Sequence, residues 1–290
     1  MEIIINPIAG GKHGKKIKKT LLAVIDRLHE RKIKYTIHQT EKKGHAKELT
    51  AKLISEGAEV IVALGGDGTL HEVINGFTSF ENTALGLIPC GTGNDFATAL
   101  GLPKDPAKAL DLILDGEPKY TDFMQMPTVR GINIIGMGID VDVLKRYENL
   151  KKKSKLGYTK CLIKTLFNFD YTDFTVEIDG QKIIDYRSFI ACIANGHVYG
   201  GGIPICPIAN PTDNKLDFLA VKEIKRSKII NAFLKLKKGK ILTLPQSEHT
   251  PCQKIKITTK TPYTINVDGE LYDNVPFEVQ IVSNKLKMYR

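Results

Sequence analysis

The chain contains no tryptophan, and its five cysteines, Cys90, Cys161, Cys192, Cys206 and Cys252, are odd in number, widely spaced and never arranged as Cys-x-x-Cys. Such spacing supports neither a disulfide framework nor a zinc site, so reduced thiols in a cytoplasmic protein are expected. No apolar run approaches the roughly 20 residues of a spanning helix. The first such run, Ile3-Ile4-Ile5, stops at Asn6-Pro7, which is too early for a signal peptide. Any contact with a membrane is therefore expected to be peripheral. Internal repeats and low-complexity linkers are missing too. So are the Walker loop Gly-x-x-x-x-Gly-Lys-Ser/Thr and a Gly-x-Gly-x-x-Gly after a first strand.

Negative charge is the minority charge: 32 Asp and Glu stand against 42 Lys and Arg, a net +10. That excess favours a polyanionic partner, whether nucleic acid, an anionic membrane face or a nucleotide. Single-strand binding would require aromatics interleaved with the basic residues. The lysine runs 12–19, 145–160 and 222–240 hold few beyond Tyr147 and Tyr158, so no nucleic acid is expected. Each run reads either as a solvated helix face or as a surface for anionic headgroups. At 290 residues with 42% hydrophobic content, the chain is long enough for one large or two ordinary domains.

The first 120 or so residues alternate short apolar runs with helical periodicity. Strands are expected at Glu2 to Ile5, Lys34 to His38, Val60 to Leu64 and Ala84 to Ile88, and helices at Lys16 to Leu28, His45 to Glu56 and Leu70 to Phe77. This order predicts a parallel sheet with helices on both sides, which binds ligands beyond the carboxyl ends of its strands. After Asp122 the texture becomes short β-rich runs. Period-2 stretches such as Lys254-Ile255-Lys256-Ile257-Thr258 predict antiparallel sheets with one wet face. Helical pieces are expected only near Lys155 to Phe167 and Ser227 to Lys238. The fold class expected is thus α/β followed by a β-sandwich or rolled sheet. Its domains are 1–122, to which the tail at about 283–290 is a candidate to return, and 123–282.

Leu64-Gly65-Gly66-Asp67-Gly68-Thr69-Leu70-His71-Glu72 is the most informative string. It predicts a buried strand that stops at a glycine turn and opens into a helix, so that backbone N–H groups and a helix N-terminus converge on an anion. Three glycines in four positions would let the backbone take φ > 0 and approach a ligand closely. The plainer reading is an ordinary turn with Asp67 or Thr69 as N-cap. Four further segments add weight: Asn6-Pro7-Ile8-Ala9-Gly10-Gly11, Pro89-Cys90-Gly91-Thr92-Gly93-Asn94-Asp95-Phe96-Ala97, Pro207 to Asp217, and Asn266-Val267-Asp268-Gly269-Glu270. In isolation the last would be a plain hairpin turn.

In this order the five segments resemble the diacylglycerol kinase catalytic-domain family, in its bacterial soluble branch related to sphingosine kinases, over essentially the whole chain. The Gly-Gly-Asp-Gly-Thr string is shared with NAD kinases, whereas Gly-Thr-Gly-Asn-Asp-Phe-Ala marks the lipid kinases. The resemblance implies a phosphofructokinase-like ATP-binding domain, a β-sandwich lipid-substrate domain and a cleft between them. It implies ATP and Mg²⁺, and nucleotide contacts at Asn6, Pro7, Ile8, Ala9, Gly10, Thr40, Gly66, Asp67, Gly68, Thr69, Leu70, His71, Glu72 and Thr92. Glu270 is implied as general base with Asp268 coupled to it or to magnesium, and sequence alone does not separate the two. A structural magnesium site is implied at Asp213 with the carbonyls of Asn210 and Lys215.

The implied reaction is phosphorylation of a lipid hydroxyl, diacylglycerol first, by a cytoplasmic protein peripherally attached to an anionic membrane. NAD kinase and a nucleic-acid-binding protein are the alternatives, and a homodimer is left open. Two departures stand out. Asn214 occupies a position usually held by glycine and tolerates φ > 0, and Val141 follows Asp140 where a small residue is usual, which bears on the shape of the acceptor pocket.

Overall fold

The computed structural model of the chain describes residues 1–7, 15–150 and 154–290. It divides into two compact units, Met1–Thr121 with Ser283–Arg290, and Asp122–Val282.

The first unit runs β1 (Glu2–Ile5), α1 (Lys15–Glu30), β2 (Thr36–Gln39), α2 (His45–Ser55), β3 (Val60–Gly65), α3 (Asp67–Gly76), β4 (Ala84–Pro89), α4 (Asp95–Ala99) and α5 (Pro106–Asp115). Its strands are parallel in the order β2-β1-β3-β4, and the end of the chain joins the free edge of β4 in parallel, with Lys287 opposite Ala84 and Met288 opposite Leu85. Ile3, Ile4, Val62, Ala63, Leu64, Leu85 and Ile88 are all buried. Helices cover both faces of such a sheet, which is why its strands read as unbroken apolar runs. On one face Ile17, Val24 and Leu28 of α1 and Leu110 and Ile113 of α5 close over Ile3, Val62 and Ile88. The sequence reading contained no α5, although its start carries a clear signal. Asp105 accepts from the Lys108 N–H, and Pro106 sits in the first turn, where a missing N–H costs nothing.

The second unit takes in the end of β5 (Pro118–Gln125), β6 (Arg130–Gly131), β7 (Ile134–Gly138), α6 (Ile139–Glu148), α7 (Lys155–Leu166), β8 (Thr172–Ile178), β9 (Lys182–Ala194), β10 (Leu216–Lys222), α8 (Ile229–Lys237), β11 (Ser247–Cys252), β12 (Lys254–Thr259), β13 (Thr264–Val267), β14 (Glu270–Asp273) and the start of β15 (Glu278–Tyr289). These strands pair antiparallel in the order β14-β13-β7-β9-β8-β12-β15, with β10 and β11 branching from β9. Alternation divides two cores. Ile190, Cys192, Leu219 and Val221 face one cluster with α6, α7 and α8, while Ala191, Ile193, Phe218 and Ala220 face the other.

The expectation of one wet face holds on β12, where Lys254, Lys256 and Thr258 are exposed and Ile255 and Ile257 are buried. It fails on β7, β9 and β10, because helices cover the face expected to be wet. One of those helices, α6, was absent from the sequence reading. Asp140 and Asp142 in its first turn and Lys145 and Arg146 in its last complement the helix dipole.

Candidate active site

In the first unit the sequence-selected residues gather at the carboxyl ends of adjacent parallel strands. Asn6 and Pro7 follow β1; Ile8, Ala9 and Gly10 lie outside the described residues. Thr40 follows β2 and is buried, its N–H donating to the Ile5 carbonyl at 2.9 Å. The glycine turn after β3 and the loop after β4 lie against each other, with the Cys90 N–H donating to the Gly65 carbonyl at 2.8 Å. Leu70 N–H makes the first helical bond of α3, to Gly66 at 3.1 Å. The N–H groups of Asp67, Gly68 and Thr69 therefore precede the ladder and suit an anion.

The glycines are needed for space rather than for unusual dihedrals. None of Gly65, Gly66 and Gly68 has positive φ, contrary to the expectation from sequence. A Cβ on Gly66 would meet the Gly91 Cα at 2.9 Å, one on Gly91 would meet the Gly66 Cα at 2.5 Å, and one on Gly65 would meet Thr69 Oγ1 at 2.4 Å. Asn94 adopts left-handed φ, +55°, which turns the second loop into α4.

Several side chains in the opening motif have local work. The Asp67 carboxylate accepts from the Phe96 N–H at 3.2 Å and so ties the first glycine turn to the second. Burial, then repulsion from Asp95, hold its pKa above the ordinary carboxylate range, opposed by the N–H groups of residues 94–96. Glu72 accepts from Gly44 at 2.8 Å and Ala46 at 3.1 Å, satisfying N–H groups at the start of α2. Leu70 and His71 are buried, so Leu70 can offer a nucleotide only its backbone. Thr92 is exposed at the tip of the second loop. Lys16, read from sequence only as part of a charged run, donates its Nζ to the Gly91 carbonyl at 3.0 Å. Its position after the first strand and turn was the available signal.

In the second unit Val267 pairs with Glu270 across a two-residue turn, Asp268 and Gly269, both at positive φ of +53° and +96°. This is the tight hairpin that Asp-Gly favours. The Asp268 carboxylate accepts three backbone N–H bonds, from Ile132 at 2.8 Å, Asn133 at 2.8 Å and Ile134 at 3.1 Å. Charge-assisted bonds of this kind make Asp268 a clamp on the chain entering β7. Glu270, first after the turn, is partly exposed, whereas the Asp268 carboxylate is occupied by backbone N–H groups.

Two residues outside the selected set position this hairpin. Asn266 accepts from the Gly269 N–H at 2.8 Å and donates to Asp140 Oδ2 at 3.3 Å. Asp140 is 2% exposed, its Oδ1 has no hydrogen-bond partner among the described residues, and burial pushes its pKa up to about 7. Gly136 is glycine because a Cβ there would sit 2.0 Å from Asp140 Oδ2. The sequence displayed the pair only as Asp140 after Gly-Met-Gly-Ile and Asn266 before Val-Asp-Gly-Glu.

A raised carboxyl pKa stabilises the fold at low pH. As pH rises through about 4 to 7 the unfolded chain ionises Asp140 first, and that stability is lost, up to about 4 kcal/mol. Asp140→Asn, which keeps an acceptor for Asn266, is expected to flatten stability over this window and to exceed the wild type above pH 7. Urea titrations across the pH range check this, and unchanged curves would contradict the burial account.

At the selected metal positions, Asp213 Oδ1 accepts from the Lys215 N–H at 3.1 Å, and the Asn210 carbonyl accepts from the Thr212 N–H at 2.8 Å. Asn214 takes φ +62° and donates its N–H to Asp122 at 2.8 Å. Partial burial, then Asp217 and Asp122, raise the Asp213 pKa.

The glycine loops at the sheet's carboxyl edge define a nucleotide-binding architecture. Residues 1–126 match the family described as Diacylglycerol kinase catalytic domain, and residues 133–290 match the YegS C-terminal NAD kinase beta sandwich-like domain. A diacylglycerol kinase of Bacillus subtilis (strain 168) is 27% identical over 282 residues, covering 95% of this chain and 91% of that protein. A crystal structure of a diacylglycerol kinase from Bacillus anthracis str. Sterne has TM-score 0.74 at 22% identity, covering 99% of this chain and 95% of that one. An NAD kinase from Archaeoglobus fulgidus in complex with ATP has TM-score 0.52 at 14% identity over 100% of this chain and 93% of that one, a likeness of fold. The chain belongs to the diacylglycerol kinase catalytic-domain family with a YegS-type second domain, and it is a phosphotransferase.

Proposed function

We propose that the protein transfers the γ-phosphoryl group of ATP to the hydroxyl of diacylglycerol, giving phosphatidic acid, at the surface of a membrane it touches peripherally. The observation that carries the reading is the Asp268-Gly269 hairpin, which holds one carboxylate in three N–H bonds and leaves Glu270 at the start of β14 to accept a proton. An alcohol is a poor nucleophile until its proton is taken, so a carboxylate within hydrogen-bond reach is required. The phosphoryl group needs positioning and charge neutralisation more than covalent help. In the first unit the α3 N-terminus, Thr69, Thr92 and Lys16 supply N–H groups, hydroxyls and a cation for that purpose. Among the described residues no helix is long and apolar enough to cross a membrane. The B. subtilis relative is named a diacylglycerol kinase, and relatives in Staphylococcus aureus carry a lipid-kinase name without an acceptor.

Magnesium suits the Asp213 turn by donor chemistry alone: no cluster of three acidic, His or Cys ligands occurs among the described residues, but the Asp213 carboxylate and the Asn210 and Lys215 carbonyls are hard oxygens, and the charges of Asp217 and Asp122 add to the attraction for a cation. When bound there, the ion would brace the turn beside β10. Millimolar Mg²⁺ is expected to raise the wild-type Tm by about 3 °C, and Asp213→Ala to lose most of that rise. Equal shifts in both proteins, read by differential scanning fluorimetry, would place the ion elsewhere.

The function is tested by incubating the pure protein with labelled ATP, Mg²⁺ and mixed micelles carrying diacylglycerol or other lipid alcohols. Label in phosphatidic acid is expected. Label in another lipid alone would move the acceptor, and label in none would refute the reading.

A further inference from the structure

Nine large hydrophobic side chains are exposed among the described residues, and five of them, Leu156, Ile163, Phe167, Ile230 and Leu234, lie on α7, its C-cap and α8. Their spacing is helical. On α7 and its cap the outward positions are Leu156, Lys160, Ile163, Lys164 and Phe167, opposite buried Tyr158, Cys161, Leu162 and Leu166. On α8 they are Ile230, Asn231, Leu234, Lys237 and Lys238, opposite buried Ile229, Ala232 and Leu236. Each helix thus has one apolar face in the core and a second, mixed apolar and lysine face in solvent. A helix whose only partner is its own core has no use for the second face.

The two helices adjoin. Arg226, just before α8, donates to the Phe167 carbonyl at 3.3 Å and lies 5.7 Å over the Phe169 ring. Beneath them the apolar seam lined by Leu162, Leu166, Phe189, Ile229, Phe233 and Leu236 encloses about 20 Å³, room for about one water. None of the five exposed side chains lines this seam, so they are available to a partner from outside.

The charge around them identifies that partner. From 155 to 169 and from 225 to 247 the sequence contains no Asp or Glu, while 225–240 alone holds seven Lys and Arg. Six of those seven, all but Lys235, are exposed. An all-basic rim would repel a second copy of the same face. It is complementary to an anionic plane, and bulky apolar side chains beside lysines are what an interfacial helix presents to headgroups and acyl chains.

We propose that α7 and α8 together form the membrane-docking face of the protein, with Leu156, Ile163, Phe167, Ile230 and Leu234 entering the acyl boundary of an anionic bilayer and the surrounding lysines on its headgroups. This deepens the lipid-kinase reading and rests on it for its purpose, but docking is measurable without turnover.

The chain lacks tryptophan, so single reporters can be introduced in Phe167→Trp and Leu234→Trp, with Ile183→Trp as a control at an exposed site on β9. On vesicles of phosphatidylcholine with phosphatidylglycerol, and without ATP, the first two are expected to shift to the blue and to be quenched by brominated acyl chains, and the control is not. The combined Ile163→Ser, Phe167→Ser, Ile230→Ser and Leu234→Ser variant is expected to sediment with these vesicles about tenfold less or weaker still. It should retain wild-type turnover on detergent micelles. Equal quenching at all three reporters, or undiminished sedimentation of the serine variant, would overturn the proposal. So would a serine variant that changes only from dimer to monomer, since a second copy would then be the cover. If docking behaves as expected while no lipid is phosphorylated on any surface, the kinase reading fails and the docking face stands.

Discussion

In the Glu270→Gln variant, phosphate transfer to the lipid alcohol falls by about a thousandfold, while ATP affinity and Tm stay at wild-type values. Glutamine preserves size and hydrogen-bonding reach and removes only the ability to take a proton. The loss should therefore appear in kcat rather than in nucleotide binding, which is assigned to the first unit's loops. Asp268→Asn separates the two carboxylates of the hairpin. An amide cannot accept at both of its atoms, so at least one of the N–H bonds from Ile132, Asn133 and Ile134 is lost, and Tm falls along with activity. Steady-state kinetics, isothermal titration of ATP and thermal melts together read both variants. Normal turnover in Glu270→Gln would remove it from the role of base.

The second large effect is expected at Gly91. Alanine there places a Cβ 2.5 Å from the Gly66 Cα and 2.9 Å from Asn94 Oδ1, and the first of these is backbone with no rotamer to yield. The two glycine turns must separate, at a cost of about 1–3 kcal/mol in overpacking. The separation also shifts the start of α3 and strains the bond from Phe96 N–H to Asp67. We expect ATP affinity to weaken by about tenfold or more, since misplaced N–H groups lose both distance and angle to a phosphate. Calorimetry of ATP binding to Gly91→Ala checks this. Wild-type affinity would show that the contact between the turns is dispensable.

The parallel sheet was legible because buried strands carry their signature in composition. Val60 to Leu64 and Ala84 to Ile88 are unbroken apolar runs, each followed by glycine and a helical period. The helices α5 and α6 were missed for different reasons. The start of α5 lies in the Asp105 N-cap and the first-turn Pro106 rather than in a strong apolar run, and α6 begins directly after Gly138, the last residue of β7, leaving no loop to announce it. Two-sided burial of β9 and β10 was not legible either: α7 and α8 were expected from sequence, but the strand face each packs on is set only by the tertiary fold.

At the site, residue types were readable and their partners were not. Asp67 and Asp95 are 28 positions apart, and only the fold shows that they share a desolvated corner. Asp268 and Ile132 are separated by 136 positions, so the clamp that distinguishes Asp268 from Glu270 lies in register, not in motif. Asn266 and Asp140 were visible as letters within two motifs. Their contact is a product of β13 pairing with β7, where Asn266 stands opposite Gly136.

The central claim is that the acceptor is a lipid hydroxyl, and a single-tube competition tests it most directly. The pure protein is given labelled ATP, Mg²⁺, NAD and diacylglycerol in mixed micelles, and the products are separated and identified by mass spectrometry. Label in phosphatidic acid, with none in NADP, is the result expected; label in NADP and none in the lipid would contradict the account.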